Sequence, residues 1–284
     1  MAGILFIISA PSGSGKSTLV NALRSQLGGL DFSISWTTRQ PRGSEENGRE
    51  YYFTTREEFE RMVAAGEFLE YAEVFGNLYG TARRSLNDAT AAGHDLLLDI
   101  DVQGALQVRQ KTPEAISIFV MPPNPKVLRT RLRNRSRAEG HVDEADLQRR
   151  MDEASKEIEN YRQYRYILVN DVLERAVAQL EAIVQVERMK RDGAPIDKRT
   201  KRELEIAEGC REVNSRERLR PVLESFGIDP GTGPLQPRLL EDKDDTGSTH
   251  RDQVRLQLSQ SHGGGTPRPS DSKRSQSAGS QPVE

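Results

Sequence analysis

Residues 9–18 read SAPSGSGKST, a glycine- and hydroxyl-rich turn closed by a lysine. The spacing is that of the phosphate-binding loop G-x-x-x-x-G-K-S/T, with Ala10 in place of the first glycine. In such a loop Gly13, Ser14, Gly15 and Lys16 turn successive backbone N–H groups inward around phosphate oxygens. The helix that follows adds its positive N-terminal dipole. The Lys16 ammonium reaches the outer phosphates, the Ser17 hydroxyl is placed as a Mg²⁺ ligand, and Thr18 supports the first helical turn. A methyl group at position 10 is compatible with this arrangement wherever φ is negative, because only positive φ demands glycine. The chemistry of the stretch is the binding of a nucleoside triphosphate. Nothing in it names the group that receives the phosphoryl.

A second anion site is offered by residues 35–53, SWTTRQPRGSEENGREYYF. Arg39 and Arg42 flank a proline, and Tyr51 follows closely. The planar guanidinium fork suits bidentate binding of phosphate oxygens, and a phenol adds another donor. The ordinary alternative is a solvated arginine loop. Residues 128–150, LRTRLRNRSRAEGHVDEADLQRR, form a third basic run. It reads either as a solvated helix face or as a set of mobile arginines that surround a transferring phosphoryl and expel water.

Further motifs tie these pieces together. The segments SAPSGSGKST, SISWTTRQPR with ENGREYYF, FLEYAEVFGNLYGT, LLLDIDVQGA and YILVND occur in this order over residues 3–190. With them the chain resembles the guanylate kinases of the nucleoside monophosphate kinase group, many of which carry alanine at the position of Ala10. The resemblance implies reversible phosphoryl transfer from ATP to GMP, and to dGMP with it, in purine nucleotide metabolism. ATP would be held by Ala10, Pro11, Ser12, Gly13, Ser14, Gly15, Lys16, Ser17 and Thr18, with Mg²⁺ on Ser17, the nucleotide phosphates and water. It assigns the GMP phosphate to Arg39, Arg42, Tyr51 and Tyr79, and the guanine edge to Ser35, Glu70, Thr81 and Asp101. Arg131, Arg135 and Arg150 match the lid arginines, which act with Lys16 in catalysis. Arg133, Arg137 and Arg149 are alternatives, because Asn134 and Ser136 stand where the family commonly has glycines. Taken singly, Glu70 reads as a surface carboxylate, Tyr79 as core packing and Asp101 as a helix N-cap. Guanine chemistry adds independent weight, since its adjacent N1–H and N2–H₂ donors match one carboxylate whereas adenine N1 carries no proton. A P-loop kinase for another small acceptor and a non-catalytic scaffold are the rival readings.

These groups need a frame that brings distant segments together. Apolar runs of strand length at 3–9, 95–100, 115–121 and 165–170 alternate with helical patterns near 16–27, 102–111, 124–134, 143–161 and 171–190. Such alternation predicts an α/β fold with a parallel sheet flanked by helices. The expected domain spans 1–192, with a core of 1–30 and 94–192. A GMP-binding subdomain of short strands and two helices is inserted at 31–93, and a mobile lid at about 131–150. Residues 193–228 read as a polar, helix-forming extension, and 229–284 as a disordered tail too poor in apolar residues to offset its ordering entropy. The extension and tail match nothing in the resemblance and are expected to be dispensable for catalysis. A net charge of −2 with 30% charged residues gives no electrostatic case for nucleic acid or membrane partners. The apolar run at 4–8 is too short for a membrane span. One cysteine, Cys210, fits a reducing compartment, so the cytoplasm is the expected location. Oligomeric state is not legible here.

If Glu70 reads the guanine edge, Glu70→Gln presents a donor to a donor. Steady-state kinetics should then show kcat/KM for GMP falling by about 10²-fold or more while KM for ATP stays within a few fold.

Overall fold

The computed structural model describes residues 3–74, 76–138 and 143–230. The tail from 231 onward and the middle of the expected lid, 139–142, lie outside the described residues. In chain order the elements are β1 (Leu5–Ser9), α1 (Lys16–Arg24), β2 (Leu30–Phe32), β3 (Trp36–Thr37), β4 (Tyr52–Phe53), α2 (Arg56–Ala64), β5 (Phe68–Val74) and β6 (Asn77–Ala82). They continue with α3 (Arg83–Ala92), β7 (Asp95–Asp99), α4 (Val102–Lys111), β8 (Ile116–Met121), α5 (Pro125–Ala138) and α6 (Glu144–Ile158). A 3₁₀ turn (Glu159–Gln163), β9 (Tyr166–Val169), α7 (Leu173–Asp192), α8 (Lys198–Cys210) and α9 (Arg216–Ser225) complete the described chain.

Five strands form a parallel sheet in the order β2-β7-β1-β8-β9. Every residue of β1 and β8 is buried, as expected of central strands covered on both faces. Alternation along β1 divides the core. Phe6 and Ile8 meet Leu19 and Leu23 of α1 and Leu180 and Ile183 of α7 on one face. Ile7 meets Val108 of α4 and Ile158 of α6 on the other. The α/β architecture with helices on both faces is the expected one. A fifth strand, β2, joins it at the edge, where Leu30–Phe32 pairs with β7. Three residues are too few to show a period, which is why that strand is not visible as a pattern.

Between β2 and β7 a second sheet of order β4-β3-β6-β5 carries a small core of its own, Phe59, Met62, Phe68 and Leu78. Its two helices, α2 and α3, have clear local causes. The Thr55 side chain caps α2 by accepting from the Glu58 N–H, and α3 ends at Gly93 with φ 68°, a left-handed position that suits glycine. Helices α5 and α6 form a hairpin with another satellite core, Leu128, Leu132, Leu147 and Ala154. Arg129 and Arg133 of α5 both reach Glu144 of α6, at 2.8 and 2.7 Å.

The start of β7 is pinned by one carboxylate. Asp95, 2% exposed, accepts from the Ile4 N–H at 2.7 Å, from Arg188 Nε at 2.6 Å and from Arg191 Nη1 at 2.7 Å. It thereby ties β1 and β7 to the end of α7. Removing one partner of a buried pair strands the other charges. Asp95→Ala should therefore lower unfolding free energy by about 3–5 kcal/mol in urea titration, well beyond the effect of a surface substitution such as Asp88→Ala.

Candidate active site

The loop after β1 turns at Gly13 (φ 83°) and Gly15 (φ 87°), both in the left-handed region that glycine alone enters without strain. Space forbids a side chain there as well. A Cβ on Gly15 would stand 2.5 Å from Asn170 Nδ2, and one on Gly13 would stand 2.9 Å from Leu132. The outward-facing carbonyl of Ser14 accepts from Asn170 Nδ2 at 2.8 Å and from Arg131 Nη1 at 3.1 Å. Arg131 Nη2 also donates to the Asn170 carbonyl at 2.9 Å. The Ala10 methyl is buried in the α1–α7 face of the core, so alanine fits here as a packing residue. Lys16 Nζ lies 2.5 Å from Asp99 and donates to the Ile100 carbonyl at 2.7 Å, across the gap between β1 and β7. Ser17 and Thr18 are exposed in the first turn of α1. The Ser14 hydroxyl is buried without a hydrogen-bond partner among the described residues.

On the inserted sheet, Arg39 is buried and oriented from two sides. Glu45 takes both hydrogen bonds of its Nη2, at 3.0 and 2.9 Å, and the Gln40 carbonyl takes Nη1 at 2.7 Å. The guanidinium lies over the Tyr51 ring, 5.3 Å from its centroid, and Tyr51 meets Tyr79 edge-on at 5.9 Å. Glu45 also accepts from the Arg42 N–H at 2.8 Å, which sets the turn carrying that second arginine. Burial, with Asp99 and Tyr79 nearby, pushes the Tyr51 phenol up to about 12. It is therefore a hydroxyl donor at neutral pH. Arg39, Tyr51 and Tyr79 thus form one cluster, with Arg42 on the adjoining turn.

Glu70 stands on β5 opposite Thr81 of β6 and is 3% exposed. Burial pushes its carboxyl up to about 7; the Thr81 hydroxyl and backbone and the Lys111 charge pull against this, while the Asp101 charge adds to it. The Thr81 hydroxyl is buried beside that carboxylate, close enough to draw its pKa down. Ser35 is buried as well, at the start of the same sheet. Asp101 does serve as the N-cap of α4, accepting from the Gly104 N–H at 2.8 Å, and it also faces Glu70 and Lys16. Gly104 matters sterically: a Cβ there would fall inside the Glu70 carboxyl. A buried carboxylate and a buried hydroxyl, side by side, make an edge fitted to a ligand bearing adjacent donors and an acceptor.

Among the arginines, Arg131 is seated on the phosphate loop, as just described. Arg135 is exposed in the last turn of α5, and Arg150 Nε lies 2.8 Å from Asp146 on its own helix. Arg133 and Arg149 are engaged by Glu144 and by Asp146 and Glu153, respectively. Four residues of the site have no role in the sequence reading: Asp99, Asn170, Glu45 and Glu157. The first two end the apolar runs LLLD and YILVN, and a polar residue at a strand's carboxyl end is a usable signal. Glu45 and Glu157 have no such signal. Glu157 of α6 lies among Ser12, Lys16 and Asp101, where burial pushes its carboxyl up to about 8.

Comparison with known proteins agrees with this geometry. The guanylate kinase family model matches residues 3–187. A guanylate kinase of Koribacter versatilis is 55% identical over 226 residues, 80% of this chain and 97% of that protein. One of Neisseria gonorrhoeae is 49% identical over 189 residues, 66% and 90% of the two chains. The crystal structure of guanylate kinase from Anaplasma phagocytophilum aligns with a TM-score of 0.55 at 32% identity, covering 80% of this chain and 97% of that one. With the phosphate loop on the parallel sheet and the arginine–tyrosine cluster and buried carboxylate edge on the inserted one, the chain belongs to the guanylate kinase family.

Proposed function

We infer that the residues gathered between β1, β7 and the inserted sheet carry out the ATP:GMP phosphoryl transfer of this nucleoside monophosphate kinase. The carrying observation is the buried Glu70 carboxylate with the buried Thr81 hydroxyl opposite it on the neighbouring strand. Glu70 accepts from guanine N1–H and N2–H₂; Thr81 and Ser35 serve the O6 edge, and Asp101 holds α4 against the base. Arg39, Arg42, Tyr51 and Tyr79 bind the GMP phosphate and aim its oxygen at the donor. On the donor side the backbone of Ala10–Thr18 cradles ATP. Lys16 leaves Asp99 for the β- and γ-phosphates.

Mg²⁺ arrives with ATP. The exposed Ser17 hydroxyl, with the nucleotide phosphates and water, is an oxygen donor set of the kind this hard cation takes. Bound there, it would neutralise charge on the phosphate oxygens. Arg131, with Arg135 and Arg150 of the lid, stabilises the charge of the transferring phosphoryl. No side-chain base is required, because a phosphate monoester is largely ionised at neutral pH. Among the described residues no helix is long and apolar enough to cross a membrane.

A coupled assay on GMP, dGMP, AMP, CMP and UMP tests the reading. It should give kcat/KM for GMP at least about 10³-fold above AMP, and equal rates on AMP or UMP would overturn it. The pH profile adds a second check. Glu70 must be ionised to accept two donors, so kcat/KM for GMP should fall with decreasing pH through a midpoint near 7. In Glu70→Gln that limb should vanish, leaving the substrate phosphate's own titration near pH 6.

A further inference from the structure

Helices α8 and α9 complete hydrophobic clusters that earlier elements begin. Ala207 and Cys210 of α8 join the α1–α7 face of the core. Leu219 and Leu223 of α9, with Ile228, join the opposite face beside Phe119, Ile158 and Ile167. Between the two helices the chain covers the open edge of the parallel sheet. Arg211 bridges Tyr166 of β9, and the Glu212 N–H donates to the Arg165 carbonyl at 3.0 Å. Farther along β9, Arg218 Nη2 donates to the Ile167 carbonyl at 2.9 Å. An uncovered edge strand would present these groups to solvent or to another chain.

The same segment then reaches the α5–α6 hairpin. Phe226 is the only aromatic residue after position 192. It packs at once against the core cluster of Ile158 and Leu223 and against the hairpin cluster of Leu128, Leu132 and Leu147. Just beyond it, Tyr161 and Arg162 of the 3₁₀ turn after α6 donate to the Pro230 carbonyl. Leu132 is the side chain beneath Gly13, and its neighbour Arg131 holds the Ser14 carbonyl. A continuous run of contacts therefore links α9, the base of the hairpin and the phosphate loop.

We propose that α9 braces the α5–α6 hairpin, and that Phe226 is a positioning residue for phosphoryl transfer because it fixes how Leu132 and Arg131 seat on the loop. The proposal rests on the assignment of Arg131 to the transferring phosphoryl, and it runs against the expected dispensability of the extension. The aligned length of 226 residues with the Koribacter versatilis protein exceeds the 192 that precede the extension, so that relative has chain to match it. The alignment with the Neisseria gonorrhoeae protein, 189 residues, does not require any of it.

The test is a graded series in the full-length chain: Phe226→Ala, Phe226→Val and Phe226→Leu, each normalised to folded protein. Expected is a kcat about tenfold below wild type for alanine that recovers with side-chain size, while KM for GMP stays within twofold. Amide exchange should accelerate in α5 and α6 and stay unchanged in β1 and β7. Any two folded members suffice to read the trend. A kcat indifferent to side-chain size, or exchange that accelerates equally through the central strands, would overturn the proposal. If the wild-type chain failed to phosphorylate GMP, the functional reading would fall, and the exchange pattern alone would still decide whether α9 braces the hairpin.

Discussion

A loop that aims consecutive N–H groups at a phosphate must aim its carbonyls away from it. In a packed interior an outward carbonyl costs free energy unless something donates to it. Here the Ser14 carbonyl receives Asn170 from the end of β9 and Arg131 from α5. Much of the architecture follows from that demand. The loop must leave the central strand, β8 and β9 must bring Asn170 alongside, and α5 must lie close enough for an arginine to span from Ser14 to the Asn170 carbonyl. The closeness also explains why Gly15 tolerates no side chain, since Asn170 fills the place of a Cβ.

The acceptor half relies on a different balance. Its arginines and tyrosines are pre-oriented by Glu45 and by ring contacts, so little ordering remains when an anion arrives. Its Glu70 carboxylate is buried, with its pKa raised to about 7, and on the proposed reading a ligand with paired donors completes its hydrogen bonding. Such a group weakens the free protein slightly and rejects ligands that leave it unpaired. Gly104 makes this possible by letting the carboxylate approach the first turn of α4.

Much of this was legible in the sequence. The apolar runs of β1, β7, β8 and β9 are buried on both faces, so they stand out without any period, and the phosphate loop announces itself by glycine spacing. The short strands β2, β3 and β4 do not, because two or three residues carry no pattern and their pairing is set by distant partners. Arg39, Tyr51, Glu70 and Thr81 could be named because their motif occurs in order, yet the carboxylate that orients Arg39 lies in an ordinary polar loop. The extension is the instructive case. Its helices carry so few apolar residues that composition marks them as solvated, but Ala207, Cys210, Leu219 and Leu223 fall on the faces that contact the core. A handful of well-placed side chains suffices when the other half of the cluster already exists.

Donors to the Ser14 carbonyl hold the phosphate loop in its turn. Calorimetric titration of ATP and of GMP into Asn170→Ala tests this most directly. ATP affinity should be about tenfold weaker, the equivalent of one lost buried hydrogen bond, with GMP affinity unchanged. An ATP affinity equal to that of the wild-type chain would contradict it.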